Sequence, residues 1–242
     1  SALASGLRRV IAYLPTGAGK TVVAVAIVKM ALEKNRRVAF ICNRNQLVNQ
    51  TRAVFESYGI HHGVIQGANT HSPWCPVLVC SIQSIARRGL PDVDLIIIDE
   101  CHACAGTLAY HDIMKDKIVV GLTATPYQKG LGRNIPSLEG PLFERVVVGA
   151  GMRELMEHGA LVDADIYAPA DPDLSGVKVV AGDYVEDQLG TAMDKAELVG
   201  DVVDQWIKLA NGRQTMVFAT VIPHSKHICE QFNANGISAM HV

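Results

Sequence analysis

The chain has 242 residues, 49% hydrophobic and 19% charged, a balance that suits a soluble globular protein and excludes a disordered one. Its formal net charge is −2, from 22 Lys and Arg against 24 Asp and Glu, so charge alone gives no support for a nucleic-acid partner. No apolar run approaches the roughly 18 residues of a bilayer span, no signal segment opens the chain, and Cys42, Cys75, Cys80, Cys101, Cys104 and Cys229 fall mostly in apolar runs as reduced thiols, so a cytoplasmic protein without a membrane partner is expected.

After a fragment of helix within residues 1–9, the run Val10–Leu14 reads as a strand. Leu14-Pro-Thr-Gly-Ala-Gly-Lys-Thr21 follows it and leads into a helix expected from Lys20 to about Glu33. A strand, a glycine turn and a helix N-terminus in succession make a phosphate-binding loop of Thr16, Gly17, Ala18, Gly19, Lys20 and Thr21. Backbone N–H groups and the helix dipole surround the anion, Lys20 reaches the β- and γ-phosphates, and the Thr21 hydroxyl sits on Mg²⁺. The general pattern asks for glycine where this chain has Leu14, and an ordinary strand-to-helix turn with a solvated lysine is the competing reading.

Arg37–Cys42 is a short continuous apolar run of the kind buried in parallel sheets, and with the preceding elements it makes a βαβ unit. A helix opens in Asn43–Gln50 and stops near Gly59; a connection containing Gly and His leads to a third strand, Pro76–Cys80, and a short helix capped by Ser81–Ser84. Asp94–Asp99 and Lys117–Leu122 are the fourth and fifth strands. Strands alternating with helices predict an α/β fold, a parallel sheet flanked by helices. Beyond Pro126 the pattern loosens: a loop over 129–141, a helix over Met152–His158, and a strand over Val162–Ala168 running into a linker at Pro169–Pro172. A second unit follows, with helices near Tyr184–Met193, Glu197–Leu209 and His224–Asn233 and strands at Thr215–Ala219 and Ser238–Val242. The expected domains are residues 1–168 and 169–242.

Asp99-Glu100-Cys-His102 ends an Ile-Ile-Ile strand, at the carboxyl edge where parallel sheets bind ligands. Asp99 can hold Mg²⁺, and Glu100 can orient and deprotonate an attacking water. Pro15–Thr21, Asp99–His102 and Gly121-Leu-Thr-Ala-Thr-Pro126 stand in the order and spacing of motifs I, II and III of superfamily-2 helicases, which the whole chain resembles. The DECH box is similar to that of restriction-type motors, phage recombination helicases and innate-immune RNA sensors. The resemblance implies a P-loop, RecA-like first lobe, ATP and Mg²⁺ as cofactors, and Lys20, Asp99, Glu100 and His102 as catalytic residues. It also implies that Thr123 and Thr125, with His102, couple the ATP site to a nucleic-acid site. Cys42–Gln50 looks like motif Ia, and Arg44 beside a helix N-terminus could bind phosphate on plain helix physics, although an ordinary helix cap would look the same. Ser81-Ile-Gln-Ser84 resembles a Thr/Ser-x-Gln-Ser motif on the same face. Nucleic acid is therefore expected across Arg44, Gln46, Ser81 and Gln83.

Cys101-x-x-Cys104 has metal-pair spacing, but no second close pair completes four zinc ligands, and the histidine pairs are equally loose. Gln214–Thr220 and the helix after it resemble motif IV and the opening of a second RecA-like lobe. Family members continue beyond it into a motif that supplies arginine fingers, so the chain is expected to be a fragment that binds nucleotide and turns it over slowly. The expected function is an ATP-dependent helicase or translocase acting on nucleic acid, with DNA favoured over RNA. The alternatives are the motor subunit of a restriction system, working with a nuclease or other subunit, and a nucleotide-switched module that senses duplex without unwinding it.

Overall fold

The apolar runs of the sequence become neighbours in one sheet. In the computed structural model, which describes residues 3–167, 172–180 and 183–242, the chain divides into two compact units, one up to Asp163 and one from Ala164. The first unit is built on β1 (Arg9–Tyr13), β2 (Val38–Cys42), β3 (Gly63–Gln66), β4 (Asn69–His71), β5 (Val77–Ser81), β6 (Leu95–Asp99) and β7 (Ile118–Thr123). β8 (Asn134–Ile135) and β9 (Gly140–Pro141) form a separate antiparallel pair, and β10 (Arg145–Val148) returns to the main sheet. The eight-stranded order is β10-β1-β7-β6-β2-β5-β3-β4, parallel throughout except that β4 runs antiparallel to β3.

Successive side chains leave a strand on opposite faces, so continuous apolar strands demand cover on both. Val38, Phe40 and Cys42 of β2 and Leu95 and Ile97 of β6 pack with Val25 and Val28 of α1 (Lys20–Leu32) and Val48 and Phe55 of α2 (Asn45–Ser57). The alternate residues, Ala39, Ile41, Ile96 and Ile98, pack with Ile82 and Ile85 of α3 (Ile82–Arg88) and Tyr110 and Met114 of α4 (Leu108–Met114). A helices-sheet-helices layering results. A short helix, α5 (Met152–Glu157), follows β10.

Two differences from the sequence reading concern strands. The connection before the third strand contains the β3–β4 hairpin, whose polar edge strand Asn69-Thr-His71 carries no apolar signal. Residues 162–167 form no strand: Val162, Ile166 and Tyr167 are 86%, 92% and 62% exposed. Ala168 and most of the expected linker, Pro169, Ala170 and Asp171, lie outside the described residues, and so does the expected boundary between 168 and 169.

The second unit carries a small hairpin, β11 (Val179–Val180) and β12 (Asp183–Tyr184), then α6 (Glu186–Met193), α7 (Ala196–Leu209) and α8 (Ile222–Ala234). Val199 and Val203 of α7 close on Ile228 and Phe232 of α8, and Trp206 meets Phe232 edge-on at 5.7 Å. The strands expected at 215–219 and 238–242 are not formed. A strand exists through its ladder, and here the backbone is held by side chains: Asn233 donates to the Ala239 carbonyl at 3.1 Å and accepts from its N–H at 3.2 Å. Among the described residues no helix is long and apolar enough to cross a membrane.

Candidate functional site

β1, β7 and β6 are adjacent, so the loops that leave their carboxyl ends meet. After β1 the chain makes one more bond to β7, from the Leu14 N–H to the Thr123 carbonyl at 3.0 Å, and then turns. Gly17 and Gly19 have φ of 85° and 75°, values open to glycine at little cost, and Gly19 is the residue from which α1 starts. A side chain at Gly17 would also meet the tip of Leu161 at 2.7 Å, a flexible neighbour that can give way, so it is the backbone conformation that calls for glycine there. The first N–H groups of α1 have no partner within the helix. They lie where the Thr16–Thr21 loop wraps, a ready anion site of backbone donors and dipole.

Beyond β6 the backbone reverses through Glu100 at φ 49°, a left-handed conformation that a glutamate adopts only when its surroundings hold it. Its N–H donates to Asp99 Oδ1 at 3.1 Å. Its carboxylate lies between two loops, with Oε1 3.6 Å from Lys20 Nζ and Oε2 3.4 Å from His102 Nδ1. Burial, and then the charge of Glu100, raise the Asp99 carboxyl above its ordinary value, against the Glu100 N–H, Lys20 and His102. Two adjacent carboxyls, beside a lysine and a helix start, suit a divalent cation bound together with phosphate oxygens. Thr21 and Asp99 could hold such an ion.

His102 links this corner to β7. Its Nδ1 is 3.0 Å from Thr123 Oγ1 and 3.2 Å from Thr125 Oγ1, while Thr123 Oγ1 accepts from the Thr125 N–H at 3.0 Å. Thr123 is fully buried and Thr125 exposed, so the cluster runs from the sheet interior to the surface. Cys101 is buried against Gly121, and burial pushes the thiols of Cys101 and Cys104 up, away from ligation. Among the described residues no group of three or more His, Cys, Asp or Glu could hold a metal ion by itself.

The residues singled out for nucleic acid lie farther along the same edge, after β2 and β5. Arg44, at the N-cap of α2, and Gln46 are exposed. Ser81 is 1% exposed, and its hydroxyl accepts from the Ser84 N–H and donates to Ser84 Oγ, so it forms the expected cap of α3 and faces inward, apart from the exposed Arg44 and Gln46. Gln83 is exposed, but its amide donates to the Asn43 carbonyl at 2.7 Å. Gln66, Gly67 and Arg88 also join this edge and escaped the sequence reading. The one signal for them was Gly67 beside Asn69, turn chemistry between two short runs.

A parallel α/β sheet with a glycine-turn anion site after β1 and an acidic pair after β6, bridged by Lys20 and Glu100, defines a P-loop NTPase of RecA-like fold. The chain belongs to the family described as type III restriction enzyme, res subunit, which matches residues 1–128. That is the superfamily-2 affiliation its motif order implied. Over 232 residues it is 28% identical to a 51.5 kDa protein of a Lactococcus phage (isolate 7-9), covering 94% of this chain and 47% of that protein. It is 27% identical over 262 residues to an Escherichia coli type I restriction enzyme EcoAI endonuclease subunit, covering 94% of this chain and 32% of the relative. The chain therefore spans less than half the length of these curated relatives. The crystal structure of the UvsW helicase from bacteriophage T4 is similar at 19% identity and a TM-score of 0.47, covering 59% of this chain and 55% of that one.

Proposed function

We propose that the chain is the ATP-binding part of a nucleic-acid-dependent motor, coupling hydrolysis of Mg²⁺-bound ATP to movement on, or unwinding of, DNA or RNA. The observation that carries this reading is the 3.6 Å approach of Lys20 to Glu100, which joins the anion loop to the acidic turn. Bound Mg²⁺ would neutralise charge on the β- and γ-phosphates. The chain's own residues do the rest. Lys20 exchanges its contact with Glu100 for a phosphate oxygen, which leaves the Glu100 carboxylate free to orient a water and accept its proton as the water oxygen bonds to the γ-phosphorus and ADP leaves. Because His102 lies between Glu100 and the Thr123–Thr125 pair, a change at Glu100 is transmitted to the exposed Thr125.

Nucleic acid would cross Arg44 and Gln46 on the same sheet edge, held by phosphate contacts and the α2 N-terminus, with Gln83 bracing the turn from behind through the Asn43 carbonyl. DNA is favoured, in the cytoplasm, on the similarity to phage and restriction proteins. Within this reading the family description and the E. coli relative favour the motor subunit of a restriction system. A nuclease domain encoded beside it would support that assignment. The decisive assay is ATP turnover with and without single-stranded DNA or RNA, with Glu100→Gln as the blank. Turnover stimulated by one polymer is expected, and a folded chain that neither binds nor hydrolyses ATP overturns the proposal.

A further inference from the structure

The β3–β4 turn has no part in the reading above, yet it is tied to two neighbouring loops. The Gly67 N–H donates to Ser84 Oγ at 2.7 Å, and the Arg88 guanidinium reaches both the Gly67 carbonyl and Thr70 Oγ1. From the end of β3, Gln66 Nε2 donates to the Asn45 carbonyl at 3.1 Å. From α3, Gln83 Nε2 donates to the Asn43 carbonyl at 2.7 Å. The two carbonyls that flank Arg44 are thus each held by a side-chain amide, one from the end of β3 and one from α3.

Exposed neutral hydrogen bonds each contribute little net stability, so this arrangement does little for the fold. Its effect is geometric. With residues 43 and 45 fixed, Arg44 is kept extended, at φ −129° and ψ 143°, where it ends the strand–helix turn with its side chain in solvent and the first N–H groups of α2 uncovered.

We propose that Gln66, together with Gln83, is a positioning residue for nucleic-acid binding: it holds the Asn43–Asn45 turn so that Arg44 and the start of α2 meet the phosphate backbone, and Arg88 holds the β3–β4 turn that carries it. This rests on the proposed nucleic-acid-dependent function. Arg44 supplies the charge; Gln66 supplies its placement. A group that acts through another loses its effect when the other is removed, whereas a group that touches the ligand itself does not.

The test is a double-mutant cycle by fluorescence anisotropy on a fluorescein-labelled twenty-nucleotide thymidine strand at low ionic strength, with thermal unfolding recorded for every variant. Gln66→Leu is expected to weaken binding about five- to tenfold when Arg44 is present and less than about twofold in the Arg44→Ala background. Gln83→Leu is expected to behave alike, which gives a second route if Gln66→Leu impairs folding. An equal loss in both backgrounds, or no loss in either, overturns the positioning role while leaving the motor reading intact. Failure of the unsubstituted chain to bind the strand overturns the nucleic-acid reading and the inference with it.

Discussion

Glu100 concentrates the residue-scale argument, because it combines a left-handed backbone with contacts to Lys20 and His102. Glu100→Gln keeps the shape and removes the base, so ATP should still bind while turnover falls by about 10²–10⁴; radiolabelled ATP in binding and hydrolysis assays separates the two. Lys20→Ala removes the cation that meets the phosphates, and a calorimetric titration should then show no ATP binding. Unaltered affinity would remove the anion loop from the site. A different carboxylate contributes to acid stability. Asp94 accepts the Arg37 N–H at 2.8 Å and Arg36 Nη1 at 2.8 Å, and these partners hold its carboxyl below the ordinary value. A depressed folded-state value means that its contribution is complete above the ordinary carboxylate range and is lost as pH falls through the depressed value. Asp94→Asn should therefore lower the urea midpoint at pH 7, and the difference should close as the solution is acidified below that range.

At the scale of elements, β7 shows how closely the site is packed from behind. A Cβ on Gly121 would meet Cys101 Sγ at 2.6 Å and Phe143 Cε1 at 2.9 Å, and Cys101 belongs to the acidic turn itself. Gly121→Val should cost about 1–3 kcal/mol in urea unfolding by overpacking. The contrast between elements that were legible and those that were not is physical. β2, β5 and β6 are buried on both faces and announce themselves as continuous apolar runs. β4 and β10 are edge strands: β4 is polar, and the Val-rich β10 exists through its register with β1. The apolar stretch at 215–219 carries strand propensity too, but it forms no ladder.

Across the whole molecule the two units differ in what holds them. The first encloses its sheet between two apolar clusters, whereas the described core of the second consists of Val199, Val203, Ile228 and Phe232 with a few half-buried neighbours. Local opening follows the amount of buried apolar contact. Hydrogen exchange read by mass spectrometry should therefore find the amides of α7 and α8 exchanging well ahead of those of β1, β2 and β6. Equal protection in both units would contradict this.

What the sequence determined by itself is the set of local devices whose chemistry depends on adjacent residues: the glycine turn into Lys20 and Thr21, the acids at the end of an apolar strand, and the alternation of strands and helices that makes a parallel sheet. These are short-range because a backbone that must turn, or a strand that must be buried, constrains its own residue types. Only the tertiary structure decided which ends meet. Strand order brought Lys20 against Glu100 and His102 against Thr123 and Thr125, and set Gln66 on the Asn45 carbonyl. Such contacts depend on the pairing of distant strands, and no neighbouring residue in the chain records that pairing.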